Sequence, residues 1–568
     1  MKLILTKRFL LMALLVSLCQ LTFGQGVTSS SLNGKITDDK GEALIGANIL
    51  AVHTPTGTSY GNSTNIDGLF RIPNMRVGGP YTITISYTGY QDFVKDNVYL
   101  RLGQSFKLDA QLQEGAYLLD DVVVLAVRND IFDGNRTGAE TTVTSEQINT
   151  LPTLSRAIGD FARLTPQATV TEGSDGYSIS INGMNNRYNA IYVDGAVNND
   201  VFGLAGSGTN GGQTGVSPFS LDAIEEFQIS VAPFDVRVGG FAGGAINAIT
   251  KSGSNNVEGT AYYLFRNQDL VRETLDGATI SDFSAKTYGA SLGGPIIKDK
   301  LFFFVNAEIQ RDETPLPFDL NNYEGNANAD SLTALNEKLS RFGYDPGTFD
   351  DNRQFLDSEK ITAKFDYNLS QDHKLSLRYS YVRAQNLEGV QSNDNNIRYL
   401  NSSEFFETTT NTVSLELNSI IGATMANNLK IGYTRVRDDR DPFGDPFPYV
   451  EIEDGAGSIF FGSERFSTAN QLDQDIFTIT NNFEIYKGRH NITIGTHNEF
   501  YTVYNLFVPF NFGAYTFTSL DDFLNDRNAV DFTRSFSLRD NIVGDGKSVS
   551  TKVEGYKQVI NGVKFVMG

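Results

Sequence analysis

Four histidines (His53, His373, His490, His497), one cysteine (Cys19) and one adjacent carboxylate pair (Glu225, Glu226) are the residues from which catalysis or metal binding would have to be built. They do not assemble. His490 and His497 are seven residues apart on one predicted strand and therefore point to opposite faces, which rules them out as a ligand pair. Glu225 and Glu226 are strand neighbours, so they too face opposite ways and cannot share a substrate. Cys19 falls in the leader, leaving the mature chain without disulfides or thiol chemistry. Residues 206–215 (GSGTNGGQTG) are glycine-rich but lack the lysine and following helix of a phosphate loop, and read as a mobile loop. Asp38, Asp39 and Asp67 sit in turn sequences rather than in a calcium-loop pattern. With no nucleophile elbow, dinucleotide fingerprint or zincin helix, the reading is a non-enzyme without cofactor or metal.

The chain must therefore work by binding and by architecture. Its formal charge of −21 argues against nucleic acid, which needs a basic surface. At 568 residues it is too long for one core. Lys2, Lys7 and Arg8 precede an apolar stretch at 9–18, and Thr22-Phe23-Gly24 offers small residues where a signal peptidase cuts. Residues 1–24 are read as a secretory signal peptide. Leu18 before Cys19 argues against a lipoprotein.

Residues 25–113 alternate in short runs broken by turns: Gly34-Lys35-Ile36-Thr37, Asp67-Gly68, and the strictly alternating stretch 81–87. That predicts a β-sandwich. The elements GKITDDKG, LIGANI, TNIDGLFRI and YTITISYTGY resemble the carboxypeptidase regulatory-like domain, a resemblance that implies no peptidase activity. In the linker 114–128, the β-branched run through Asp120, Asp121, Val122, Val123, Val124 and Leu125 can add itself to another protein's sheet edge. Residues 129–252 carry six ordered motifs: 151–161, 164–168, 178–184 (SISINGM), 189–195 (NAIYVDG), 224–229 (IEEFQI) and the glycine-rich 234–256. These resemble the plug of TonB-dependent outer-membrane receptors, in the Oar-like branch with its sandwich extension; SusC-type glycan importers are a neighbouring possibility. The resemblance makes 120–125 a candidate TonB box and Arg237 a candidate plug–barrel contact. The glycine-rich stretch is read as the hinge between plug and barrel.

From 253 to 568 strands alternate in one sense. Ile361, Ala363, Phe365 and Tyr367 oppose Thr362, Lys364, Asp366 and Asn368; Leu375, Leu377, Tyr379 and Tyr381 oppose Lys374, Ser376, Arg378 and Ser380. An apolar lipid face and a polar lumen face require this period. Predicted strands at 258–267, 283–294, 301–310, 359–368, 373–384, 409–419, 428–437, 473–485 and 490–503 leave connections that alternate long and short. Short periplasmic turns and long, polar external loops have that parity. Nine strands, with a tenth beyond 550, make only part of the about 22 that such receptors use.

The fold expected is thus mainly β: an N-terminal β-sandwich, an α+β plug domain and a partial antiparallel transmembrane β-barrel. The resemblance implies an outer-membrane, TonB-dependent transporter or receptor, importing a substrate too large to diffuse. Its partners are TonB, outer-membrane lipid and an unidentified extracellular ligand. The alternative is a truncated, non-transporting surface-binding or adhesin-like protein.

Overall fold

A computed structural model describes residues 26–115, 140–153, 156–173, 176–231, 235, 237–271 and 282–535, and the backbone of 556–567. The leader and the candidate TonB box at 120–125 lie outside the described residues.

The first body is a two-sheet sandwich. Its strands are β1 (Ser30–Thr37), β2 (Asn48–His53), β3 (Thr58–Ser63), β4 (Leu69–Met75), β5 (Gly78–Ser86), β6 (Phe93–Leu100), β7 (Ser105–Lys107) and β8 (Ala110–Gln111). One sheet runs β4-β1-β7 with β8 also on β1, the other β3-β2-β5-β6. Alternation sends Phe70 and Ile72 of β4 into the shared core and leaves Arg71 on the outer face. His53 is buried against the Tyr81 ring with Nδ1 on Thr56 Oγ1, and burial pushes its pKa down to about 3, so it is a neutral core residue.

The second body contains β9 (Glu140–Thr144), α1 (Ser145–Thr150), α2 (Ile158–Ala162), β10 (Ala168–Gly173), β11 (Gly176–Ile181), β12 (Ala190–Val193), β13 (Ala196–Val197), β14 (Ile224–Ser230) and β15 (Ala245–Thr250). Thr144 caps α1 with a reciprocal Gln147 bond. The five-stranded sheet has the order β13-β12-β15-β14-β9, with β15 central and parallel to β12. Every residue of β15 is buried. The glycine-rich stretch before it belongs to this body: Ala242 and Gly243 both donate backbone hydrogen bonds to Tyr188 O. Only its last part, after Thr250, crosses to the next sheet, so the hinge read from the sequence is shorter than expected. At Gly253 a Cβ would lie 2.3 Å from Phe303 O, which demands glycine at the crossing.

The third body is a ten-stranded antiparallel sheet with strands in chain order. Together with the segments between them, its elements are β16 (Glu258–Asn267), β17 (Ser284–Ile297), β18 (Leu301–Pro317), α3 (Ala329–Arg341), β19 (Asp351–Asn368), β20 (His373–Glu388), β21 (Asn396–Arg398), β22 (Glu404–Ile421), β23 (Met425–Asp439), β24 (Tyr449–Asp454), β25 (Gly457–Phe461), β26 (Gln471–Lys487), β27 (His490–Phe507), β28 (Ala514–Phe517), α4 (Leu520–Leu524), β29 (Asp531–Thr533) and β30 (Tyr556–Met567). Burial in the sheet is inverted relative to a protein that folds in water. Lys364 and Arg378 are 6 % and 3 % exposed, while Ile361, Leu377 and Ile494 are 44 %, 40 % and 59 % exposed. The plug covers the polar face, and among the described residues none packs over the exposed apolar side chains of the other face.

The long connections differ from the sequence reading. They do not remain large polar loops. The strands run past their predicted ends on the side away from the sandwich, 301–310 becoming Leu301–Pro317 and 359–368 becoming Asp351–Asn368. The described residues of the connections after β18, β20 and β23, with those after β27, fold together as a cap. Its sheet has the order β21-β25-β24-β28-β29, with α3 and α4 packed against it. Leu332, Leu335 and Leu339 lie on one face of α3 and meet Ile397, Val450, Ile452, Ile459 and Phe461. Asn328 caps the helix with a reciprocal Ser331 bond. The Phe461 ring is fully buried and contacts Tyr399, Phe447 and Phe523.

Phe461→Ala should therefore destabilise the cap by about 3–5 kcal/mol. Hydrogen exchange of Ala329–Arg341 and Leu520–Leu524 is expected to accelerate while β18–β20 amides stay protected.

Candidate functional site

The site is the interface where the plug meets the polar wall of the sheet. Its centre is the turn between β12 and β13. Asp194 (φ 45°) and Gly195 (φ 74°) both adopt left-handed backbone, the requirement of a tight Asp-Gly hairpin. This conformation drives the Asp194 carboxylate into the wall. Oδ1 accepts from Thr250 N at 3.0 Å and Oδ2 from Thr250 Oγ1 at 2.6 Å. Lys364 Nζ stands 3.3 Å from Oδ1. Arg378 Nε lies 2.9 Å from Oδ2 but off the hydrogen-bond line, a charge contact, while its Nη2 donates to Val193 O at 3.0 Å. Ser414 Oγ donates to Asp194 O at 3.1 Å. Burial opposes the charged carboxylate, but Lys364, Arg378 and Thr250 outweigh it and hold Asp194 below the usual carboxylate range.

Flanking contacts follow the same logic. Glu308 of β18 accepts from Ser220 of the plug at 2.8 Å, Lys360 at 2.9 Å and Tyr262 at 2.6 Å. At the end nearest the cap, Gln213 Nε2 donates to Asp438 at 3.0 Å and Gln474 Nε2 to Asp200 at 3.0 Å. A cavity of about 420 Å³ opens there, lined by Phe202, Leu204 and Gln213 from the plug and Phe406, Arg440 and Phe507 from the wall.

At the opposite end the sandwich closes the mouth. Leu102 N donates to Glu226 Oε1 at 2.6 Å, Gln228 Nε2 donates to Leu102 O at 3.0 Å, and Arg101 lies 4.0 Å from Glu226. Burial raises Glu226 to about 7, with the Leu102 amide and Arg101 opposing. The segment 26–29 passes between plug and wall: Lys430 Nζ donates to Gly26 O at 2.9 Å and Thr28 Oγ1 to Glu416 at 2.5 Å.

Of the residues singled out in the sequence, Arg237 is placed with Nη1 3.1 Å from Glu484 Oε1 of β26 and Nη2 2.7 Å from Asp235. The candidate TonB box lies outside the described residues. Glu225 and Glu226 are not brought together on a common ligand: Glu226 faces Leu102, while Glu225 lines a separate cavity beside Gly78. The histidines stay apart, with His497 held between Thr480 and Glu499 and His373 on Ser419. Among the described residues no three His, Cys, Asp or Glu side chains form a metal cluster. Sequence reading named the hairpin of Asp194 as a motif but missed the carboxylate as an ion partner. Lys364 and Arg378 were legible as lumen-face charges, but nothing in the sequence pointed from them to Asp194.

Comparison with known proteins agrees with this architecture. Residues 31–113 match the carboxypeptidase regulatory-like domain, 134–246 the TonB-dependent receptor plug domain, and 249–320 with 326–559 an outer membrane beta barrel domain. The chain is 28 % identical over 260 residues to the TonB-dependent transporter Oar of Myxococcus xanthus, covering 42 % of this chain and 23 % of Oar. It is 26 % identical over 209 residues to the probable TonB-dependent siderophore receptor PirA of Acinetobacter baumannii, covering 35 % and 26 %. The fold is similar to the outer membrane transporter YddB of Escherichia coli, with a TM-score of 0.51 and 13 % identity over 74 % of this chain and 53 % of that one. The matches thus span about a quarter of each curated relative.

Two outcomes are expected. Asp194→Ala strands Lys364 and Arg378 without a counter-charge and should cost about 3–5 kcal/mol, read as accelerated hydrogen exchange in β12 and β15. Glu226 has a folded pKa of about 7 above its ordinary 4.5. The stability it contributes is present below pH 4.5 and lost as pH rises towards 7. Protection of the Leu102 amide, corrected for intrinsic exchange, should therefore fall across that window and level off above it. In Glu226→Gln it should not vary.

Proposed function

The chain belongs to the TonB-dependent outer-membrane receptors that carry an N-terminal carboxypeptidase regulatory-like domain, a family of transporters and receptors rather than enzymes, and from that premise we propose that it takes part in energised import across the outer membrane. In this reading an extracellular ligand settles between the cap and the plug end at Phe202 and Gln213. The segment 120–125 adds as a strand to TonB, and the pull it transmits rearranges the plug. The first described plug strand after that segment is β9, an edge strand paired to β14 alone. An edge strand peels from a sheet one hydrogen bond at a time, which suits a force applied along the chain.

The observation that carries the reading is the inverted burial of the sheet. Charged side chains are sealed against a plug on one face and aromatic and branched apolar residues are bare on the other, which suits a wall with lipid outside and a removable stopper inside. The folded cap favours a second reading, surface binding without transport, because a packed external sheet is itself a binding platform.

The test uses the intact chain in isolated outer membranes and the purified periplasmic domain of TonB. Binding that disappears on deletion of 119–125 is the expected result. Binding that survives the deletion removes that segment's role, and no binding by the intact chain supports the surface-binding reading.

A further inference from the structure

One carboxylate on the wall is shared by both bodies it holds. Glu484 of β26 receives Arg237 of the plug at 3.1 Å through Oε1. Its Oε2 faces Arg71 of the sandwich at 4.0 Å. Tyr486 O–H also donates to Oε2, and the Arg71 guanidinium lies over the Tyr486 ring, 5.3 Å from its centroid. Glu484 is 8 % exposed and Arg71 21 %. The two arginines are not equivalent. Arg237 has a second carboxylate, Asp235, bonded through both Nε and Nη2. Arg71 Nε is buried with no hydrogen-bond partner; its side chain is held by the charge of Glu484, by Tyr486, and by the field of Asp235, to which, unlike Arg237, it makes no hydrogen bond.

The geometry points to Arg71 as a positioning residue for plug release: through Glu484 it makes the plug's hold on the wall depend on whether the sandwich is docked. This rests on the transport reading, in which the plug must rearrange. By charge alone Arg71 competes with Arg237 for Glu484; what the docked Arg71 and Tyr486 supply is a cover that keeps water from the Arg237 pair. When the sandwich leaves, Glu484 loses a neighbour, water enters at Arg71, and the Arg237 pair passes from a dry site to a wet one, where an ion pair is weak.

Against the wall, the sandwich's contacts around this node are polar; its apolar contact, Val77 and Leu102 on Ile249, is with the plug. Asn368 Nδ2 of β19 donates to Thr58 Oγ1 at 2.9 Å, Asn62 Nδ2 donates to Ala423 O at 3.2 Å, and Lys374 stands over the Tyr60 ring at 4.4 Å. Between the docked sandwich, the plug and the wall lies a cavity of about 330 Å³ that contains Asp194, Lys364 and Arg378 in its lining. Undocking would open this cavity, and with it the Asp194 clamp, on the side where the sandwich sits. The sandwich acts as a latch whose release precedes that of the plug, because its side of the node is the weaker one.

Hydrogen exchange on the full chain in outer membranes, without TonB or ligand, tests this. Arg71→Ala should speed exchange of the plug amides at 237–244 by about fivefold to tenfold, Arg71→Lys should restore most of the protection, and Lys40→Ala, on an exposed turn, should change nothing. A second variant pair, Asn368→Ala with Lys374→Ala, loosens the sandwich without touching Glu484. It should produce the same acceleration at 237–244, and Arg71→Ala added to it should contribute little more. Plug amides at 237–244 that stay protected when the sandwich contacts have become fast-exchanging would overturn the proposal. So would full additivity of the two sets. Because neither TonB nor ligand is present, these results stand apart from TonB binding by 120–125: losing that binding while the exchange coupling persists would fault the transport reading alone.

Discussion

A carboxylate taken out of water must find counter-charge, and the structure depends on how Asp194 finds it. The plug could rest in the sheet in many rotations if its contacts were apolar. With Lys364 and Arg378 on the wall and Thr250 on the adjacent plug strand converging on one side chain, only one seating leaves no buried charge alone. The turn that carries Asp194 must hold left-handed backbone to reach them. One hairpin, one carboxylate and two cations from neighbouring strands thereby set the register between two bodies that share no secondary structure.

The same need for satisfied polar groups explains the inverted wall. Lys360, Lys364, Arg378 and Lys430 are all buried, which a soluble fold avoids, and each has a partner on plug, wall or the segment 26–29. The plug is thus a structural requirement of the wall as well as its stopper. Apolar side chains on the same face, such as Phe302, Val382 and Ile476, are buried with these charges, and Val216 of the plug packs on Val382 and Ala384.

The two ends of the sheet solve different problems. At the cap end the connections build their own apolar core, with α3 and α4 over a five-stranded sheet, so the face is rigid and presents a cavity beside the plug. At the sandwich end the joints to the wall are single hydrogen bonds, cation–ring contacts and a shared glutamate, and a small apolar cluster of Val77, Leu102 and Ile249 joins sandwich to plug.

Local period decided what the sequence by itself determined. The alternation at 361–368 and 374–381 told which side chains share the lumen face, and Lys364 and Arg378 could be put there before any contact was known, since a strand's side chains must alternate. Turn chemistry likewise marked the hairpins and the parity of the connections. Partnership was beyond it. Asp194 and Lys364 are separated by 170 positions, and nothing in either neighbourhood selects the other; only a closed plug–wall interface brings them together. The cap was unreadable for the same reason. Its core draws on residues from Leu332 to Phe523; apart from the Leu332, Leu335 and Leu339 face of the helix, its segments are too short to show a buried face alone. Only when the strands bring four loops to one end do their scattered leucines, isoleucines and phenylalanines add up to enough apolar surface to exclude water.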